Sequence, residues 1–230
     1  MMRLLLVGYG RMGRLVGELA ADYGCEVLGI VDPVSAAHSG DVNDPRWRDV
    51  DVAIDFTSPD AVLGNVSALA RRRINVVLGT TGWQRHEPEL RRVVAEAGSG
   101  IVAAPNFATG MVLFEALVGQ AARLFAARGD FGAWLHEAHH AMKKDAPSGT
   151  ALKLKKAMEE AGYDRVIDVA ATRAGHIPGT HTVGFDAASE SIALVHTARD
   201  RGAFARGALT AALWVQGKTG WFTMQDVLGL

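Results

Sequence analysis

The apolar run Leu4-Leu5-Leu6-Val7 passes directly into Gly8-Tyr9-Gly10-Arg11-Met12-Gly13, whose end overlaps a helix-length stretch from Arg11 to Ala21. This junction limits the possible folds more than any other part of the chain. Glycines at these spacings serve a tight turn out of a strand, close approach of the backbone to a bound group, and close packing of helix on strand. A helix that starts here offers free N–H groups and the positive end of its dipole, a seat for phosphate. Nineteen residues beyond Gly13, Asp32 closes the second apolar run, at the distance expected of a carboxylate that accepts hydrogen bonds from ribose hydroxyls. A glycine-rich turn can serve packing alone, but strand, helix and acidic residue together favour a bound dinucleotide. Asp32 repels a 2′-phosphate, and Pro33 follows where an arginine would neutralise one. NADH is therefore expected over NADPH, with Arg11 or Arg14 as the residues able to serve a 2′-phosphate.

Further apolar runs at Val27 to Val31, Val52 to Phe56, Val76 to Leu78 and Ile101 to Ala103 are continuous, as in strands covered on both faces. Helical stretches at Pro59 to Arg73 and Glu87 to Ala97 lie between them. The series reads as βαβ units and a parallel sheet, a Rossmann-type α/β domain. Gly79-Thr80-Thr81-Gly82 and Ala104-Pro105-Asn106-Phe107 follow two of these strands, where open α/β sheets bind ligands. The rhythm changes after Phe107. A long helical pattern (Val112 to Ala127), an apolar run (Phe131 to Leu135) and alternating segments around His181 to Phe185 and Ser191 to Thr197 predict an antiparallel, half-exposed sheet in a second, α+β domain. The expected division is 1–107 with 207–230 for the dinucleotide domain and 108–206 for a substrate-binding and oligomerisation domain. Between the second and third strands, Pro33 to Val50 is short for a connection that carries a helix.

Composition excludes several classes. With 24 Lys and Arg against 25 Asp and Glu, the formal charge is -1, so no global field draws in nucleic acid or an anionic membrane. Anions must be held locally. No apolar stretch approaches the ~20 residues of a membrane span, the N-terminus lacks the long apolar run of a signal peptide, and the single Cys25 forms no internal disulfide. A cytoplasmic location is expected.

The segment from His136 to Thr150 holds three histidines and two lysines. Pro147 disfavours helix at Ala146, so the basic residues lie on a strand end or loop, and Ser148 caps a helix from Ala151 to Ala161. The amides of Gly149 and Thr150 then point toward His139, His140 and Lys143, an arrangement suited to a carboxylate. A solvated basic loop is the plain alternative, but clustering beside a helix start and an acid/base-capable histidine favours chemistry. His136-Glu137-Ala138-His139-His140 also spells H-E-x-x-H, a zinc-protease pattern that requires a helix; the preceding apolar run looks like a strand, and no metal is expected.

These segments, together with Arg173-Ala174-Gly175, His181 and the tail Asp226 to Leu230, resemble the 4-hydroxy-tetrahydrodipicolinate reductase family from near Arg3 to the C-terminus. The resemblance implies hydride transfer from a nicotinamide to a cyclic, unsaturated dicarboxylate. His139 is then the acid/base and Lys143 the proton donor, while His140, Ser148, Gly149 and Thr150 surround the substrate. The cofactor residues it implies are Gly8, Tyr9, Gly10, Arg11, Met12 and Gly13, with Asp32, Gly79, Thr80, Thr81, Ala104, Pro105, Asn106 and Phe107. It also implies a homotetramer joined through the sheets of the second domain. Ala108 and Thr109 stand where relatives often carry serine. Another amino-acid dehydrogenase, or an NAD(H) sensor without turnover, would share the cofactor half.

Overall fold

The computed structural model describes all 230 residues, Met1–Leu230. In chain order the elements are β1 (Met2–Val7), α1 (Arg11–Leu19), β2 (Cys25–Val31), β3 (Val52–Asp55), α2 (Pro59–Arg71), β4 (Asn75–Leu78), α3 (Glu87–Ala97), β5 (Gly100–Ala103) and α4 (Thr109–Ala126). The remainder are β6 (Gly132–His139), α5 (Gly149–Glu160), β7 (Ile167–Arg173), β8 (Thr180–Asp186), β9 (Ser191–Thr197), α6 (Gly202–Val215), β10 (Gly220–Phe222) and α7 (Met224–Leu228). They form two compact units, Met1–Thr109 with Arg201–Leu230, and Gly110–Asp200. The chain re-enters the first unit at Arg201, because α6 belongs to that unit whole and buries Ala205, Ala208, Leu209, Ala211, Ala212 and Val215. A boundary at 207 would cut this helix.

The first unit holds a parallel sheet of order β10-β5-β4-β3-β1-β2. Every residue of β3 and β4 is buried, as continuous apolar runs require when both faces are covered. From β2 the chain crosses back over β1 to pair β3 on its other side. The topological switch point, where ligands of open α/β sheets bind, thus opens at the carboxyl ends of β1 and β3. The short connection from β2 to β3 carries no α-helix, only a 3-10 turn at Pro45–Asp49 capped by the Asp44 side chain. Trp47 is buried there against Gly29, at which a Cβ would come within 2.1 Å of the indole ring. One aromatic ring and a glycine therefore close the surface that a crossover helix would otherwise cover.

The second unit has a four-stranded sheet of order β7-β6-β8-β9. It is mixed rather than antiparallel throughout: β8 runs antiparallel to β6 and β9, but β7 is parallel to β6 because α5 crosses over between them. The core is built from Leu135, Val183, Phe185, Leu154, Met158 and Tyr163, and Phe125 stacks on Phe185 with ring centroids 4.3 Å apart. The Arg165 guanidinium donates to the carbonyls of Phe125 and Ala126 at 2.9 and 3.0 Å, where a cation complements the negative end of α4. Ile192 and Val195 of β9 stand exposed. No helix is long and apolar enough to cross a membrane.

Candidate active site

In the first unit, the turn after β1 has the geometry that its glycines imply. Gly8 adopts φ +87°, and a Cβ there would lie 2.4 Å from the Phe56 carbonyl oxygen. At Gly13 a Cβ would lie 2.1 Å from the Gly8 carbonyl oxygen, so the helix can sit this close only without a side chain. Gly10, by contrast, faces open space and begins α1 with no side-chain cap, and no acidic residue lies in the first turn. The first N–H groups of α1 are thus left for an external anion. Asp32, just beyond β2, accepts the Tyr9 N–H at 3.0 Å on one carboxylate oxygen and the Val34 N–H at 2.9 Å on the other. These bonds fix the carboxylate beside the turn, where it can accept ribose hydroxyls and repel a 2′-phosphate. This geometry fits a dinucleotide.

A groove of about 410 Å³ runs along this edge, lined by Gly10, Arg11, Met12, Thr57, Thr81 and Arg201 among others. Arg201 was not among the residues expected from sequence; it stands 190 residues from Arg11 in an unpatterned stretch. Beneath the groove, fully buried Asp55 accepts hydrogen bonds from the Thr57 and Thr80 hydroxyls at 2.7 and 2.8 Å and from the Asn65 amide at 3.1 Å. Burial pushes the Asp55 carboxyl up, against the pull of these donors. The Thr80 hydroxyl also accepts the Thr57 N–H at 2.7 Å, so this side chain ties two strand ends together and leaves only its backbone for a cofactor, while Thr81 is exposed. The Ala104 to Phe107 loop is similar. Phe107 is buried edge-on against Phe56, and the Asn106 side chain accepts the Ala108 N–H at 2.8 Å, closing the turn.

In the second unit, β6 continues past its apolar run through His136, Glu137, Ala138 and His139. Strand alternation puts Glu137 and His139 on one face. Glu137 is opposite His181 of β8 and Ala171 of β7, and His139 is opposite Arg173. The Glu137 carboxylate is fully buried and receives the Arg173 guanidinium on both oxygens at 2.6 and 3.0 Å, the Ser148 N–H at 3.0 Å, and His139 Nδ1. Burial alone would raise its pKa, but these donors together hold it below the ordinary value. The His139 imidazole is lowered by burial, which outweighs the raising effect of Glu137 and is aided by Lys143 and Arg173. Its ring meets His181 edge-on with centroids 5.2 Å apart, and burial pushes His181 down to about 4. Both imidazoles are neutral near pH 7.

Ser148 lies under this cluster, not on its surface. It is buried, its hydroxyl accepts the Ala151 N–H at 3.2 Å as the cap of α5, and it bonds His181 Nε2 at 3.3 Å. The Ser148 side chain is thus turned inward, while at the start of α5 Gly149 is exposed and Thr150 half-buried. Lys143 is paired with Asp145, Nζ to carboxylate at 2.8 and 3.0 Å, and the Gly149 N–H also reaches that carboxylate. A cation and a helix amide thus already converge on one carboxylate here, supplied by the chain itself. His140, next to His139, lies at the start of this loop, half-exposed.

The H-E-x-x-H pattern lies on a strand and the turn after it, so it lacks the helix face on which a zinc-protease pair depends. Ligand atoms of Glu137, His139 and His181 do lie within 4.8 Å of one another. Arg173 occupies both oxygens of Glu137, however, and already supplies the balancing positive charge.

A Rossmann-type unit and an acid/base cluster on one chain define a class, the nicotinamide-dependent oxidoreductases that carry their own substrate domain. Residues 2–107 match the family described as dihydrodipicolinate reductase, N-terminus, and residues 110–228 match dihydrodipicolinate reductase, C-terminus. The 4-hydroxy-tetrahydrodipicolinate reductase of Christiangramia forsetii is 35% identical, with 99% of this chain and 98% of that one covered. The reductase of Methanoregula boonei is 39% identical, covering 96% and 95%. A dipicolinate-bound dihydrodipicolinate reductase from Paenisporosarcina shares the fold with a TM-score of 0.86 over 98% of both chains, at 20% identity. The chain belongs to the dihydrodipicolinate reductase family.

Proposed function

We propose that this chain reduces 4-hydroxy-tetrahydrodipicolinate with NADH in preference to NADPH, using His139 and Lys143 for proton transfer and working as a cytoplasmic homotetramer. Its family makes it an oxidoreductase of the NAD(P)H-dependent step in lysine and diaminopimelate biosynthesis. The observation that carries the reading is the loop after β6. There Lys143 and the start of α5 hold a carboxylate within a few residues of a neutral, buried-side histidine. A dicarboxylate substrate offers the same group that Asp145 offers in this structure. The dipicolinate bound to the Paenisporosarcina relative is such a dicarboxylate.

The nicotinamide, when bound, supplies hydride. The chain's own residues do the rest. Gly8, Gly10 and Gly13 with the first amides of α1 hold the pyrophosphate, and Arg11, Met12 and Tyr9 flank it. Asp32 accepts the ribose hydroxyls. The backbones of Gly79, Thr80, Thr81, Ala104, Pro105, Asn106 and Phe107 line the carboxyl ends of β4 and β5. The 4-hydroxyl leaves as water; Lys143, His140, Gly149 and Thr150 hold the substrate carboxylates and offset the negative charge that grows as hydride arrives at the unsaturated ring, while Lys143 or His139 delivers the proton that completes the reduction. The preference for NADH follows from Asp32, anchored by two backbone amides and followed by Pro33 and an exposed Val34 rather than a cation. The exposed Ile192 and Val195 of β9 fit a sheet-to-sheet contact between copies.

Initial rates with NADH and with NADPH, each with enzymatically generated 4-hydroxy-tetrahydrodipicolinate, test the proposal. Reduction with both, at higher kcat/KM for NADH, is the expected result. Turnover of a different amino-acid substrate and none of this one refutes the substrate, and cofactor binding without any turnover leaves a sensor.

A further inference from the structure

We propose that Glu137 is a positioning residue: clamped by Arg173 and the Ser148 N–H, its carboxylate accepts the hydrogen bond of His139 Nδ1–H, keeps that proton on Nδ1, and so presents Nε2 as the atom that exchanges protons with substrate. The inference rests on His139 being the acid/base group of the site.

The hydrogen-bond inventory fixes the direction of the bond. Both oxygens of Glu137 receive the Arg173 guanidinium, at 2.6 and 3.0 Å, and one also receives the Ser148 amide at 3.0 Å. Neither a guanidinium nor a backbone N–H can accept a hydrogen bond, so the carboxylate is the acceptor toward Arg173 and Ser148. The proton shared with His139 therefore belongs to Nδ1. In the neutral ring, one nitrogen protonated leaves the other with a free lone pair, so Nε2 is the acceptor. Strand geometry makes the contact permanent: residues 137 and 139 share a face of β6, and β7 brings Arg173 opposite His139 in register.

The other edge of the ring has been kept clear. Gly179, at φ +132°, lies beside it, and a Cβ there would come within 3.2 Å of His139 Cδ2 and Nε2. A side chain at 179 would take the space that a substrate atom needs. The charged and titratable groups facing His139 are Glu137 from its own strand and Arg173 from β7. His181 approaches from β8, and Lys143 comes from the loop after β6. His196 of β9 lies next to His181, and Asp145 meets the cluster through its carbonyl, which accepts from Arg173 at 2.6 Å, and through its pair with Lys143. Glu137 is the one anion bonded directly to the imidazole.

Glu137→Gln keeps shape while reversing the bond. The glutamine oxygen must still accept the Ser148 N–H, which turns its NH₂ toward His139 and forces the imidazole proton to Nε2. Turnover should fall about 100-fold, within the range that a positioned acid/base contributes, with KM and cofactor affinity little changed. The acidic limb of the kcat profile should move to lower pH, because the carboxylate that favours the imidazolium is gone. Nitrogen-15 spectra should show His139 protonated at Nδ1 in the unaltered protein and at Nε2 in the variant. In a His139→Ala background the same substitution should lower turnover by no more than about twofold. An Nε2-protonated His139 in the unaltered protein overturns the proposal, and this measurement needs no variant to fold. Equal losses in the two backgrounds also overturn it, since they describe a structural ion pair. If His139→Ala alone leaves kcat unchanged, the assignment of His139 itself fails, a separate outcome.

Discussion

His181 is one of the groups through which pH reaches the stability of the second unit. It is 4% exposed, and burial beside His139 holds its pKa near 4 against an ordinary value of 6.5. The unfolded chain therefore binds a proton at its imidazole before the folded chain does. Stability is unaffected by this group above about pH 6.5 and is lost progressively as pH falls from there toward about 4. A shift of that size is worth about 3 kcal/mol over the whole window, and about 2 kcal/mol of it is spent by about pH 5. His181→Gln retains a hydrogen-bonding partner for the Ser148 hydroxyl, which meets Nε2 in the native protein, but it cannot ionise. Urea unfolding of both proteins at about pH 7.5 and pH 5 should show the native chain losing about 2 kcal/mol more than the variant. The residual loss in the variant reports His139 and His196, whose pKa values burial also lowers. Parallel stability curves for the two proteins, or an imidazole that titrates at its ordinary value by NMR, would refute the reasoning that His181 is neutral because it is buried.

Three further outcomes follow from the site. Asp32→Ala should weaken NADH about tenfold through the loss of one charged hydrogen bond and raise the NADPH to NADH ratio of kcat/KM; an unaltered ratio means the ribose is held elsewhere. Gly13→Ala places a Cβ 2.1 Å from the Gly8 carbonyl oxygen, so cofactor affinity by fluorescence titration should fall more than tenfold while the second unit's unfolding transition stays in place. Lys143→Ala should cut kcat by about 100-fold with cofactor affinity unchanged, and unchanged turnover would remove Lys143 from the mechanism.

The first unit was largely legible because each of its devices is local. A strand, three glycines, a helix start and an acidic residue at fixed spacing can be read in one pass, and the five apolar runs became five strands within a few residues of their expected bounds. Helix α3 fell at Glu87–Ala97, where its charges and apolar stripe placed it. The elements that were missed have little pattern to show. β7 presents only Ile167 and Val169 before Ala170 and Ala171, on a strand half open to solvent, and β10 spans three residues. Missing β7 also hid the crossover through α5, and with it the parallel pairing that makes the second sheet mixed.

The candidate site shows a sharper limit. The segment from His136 to Thr150 stood out by clustering, yet the partners that Glu137 finds in the fold, Arg173 and His181, came from elsewhere. The basic residues were expected on a strand end or loop, and β6 does run past its apolar stretch to His139, with Glu137 on its inward face. A buried carboxylate breaks the alternation that marks a strand, so the very residue that matters erased its own signal. Its partners, Arg173 and His181, lie 36 and 44 residues away and reach it only through strand register. Removing Arg173 would leave an unpaired buried charge, a cost of about 3 to 5 kcal/mol that no local pattern reveals. Composition near a candidate site names its polar atoms; the pairing of strands decides which of them bond to one another, and that is fixed by the fold as a whole.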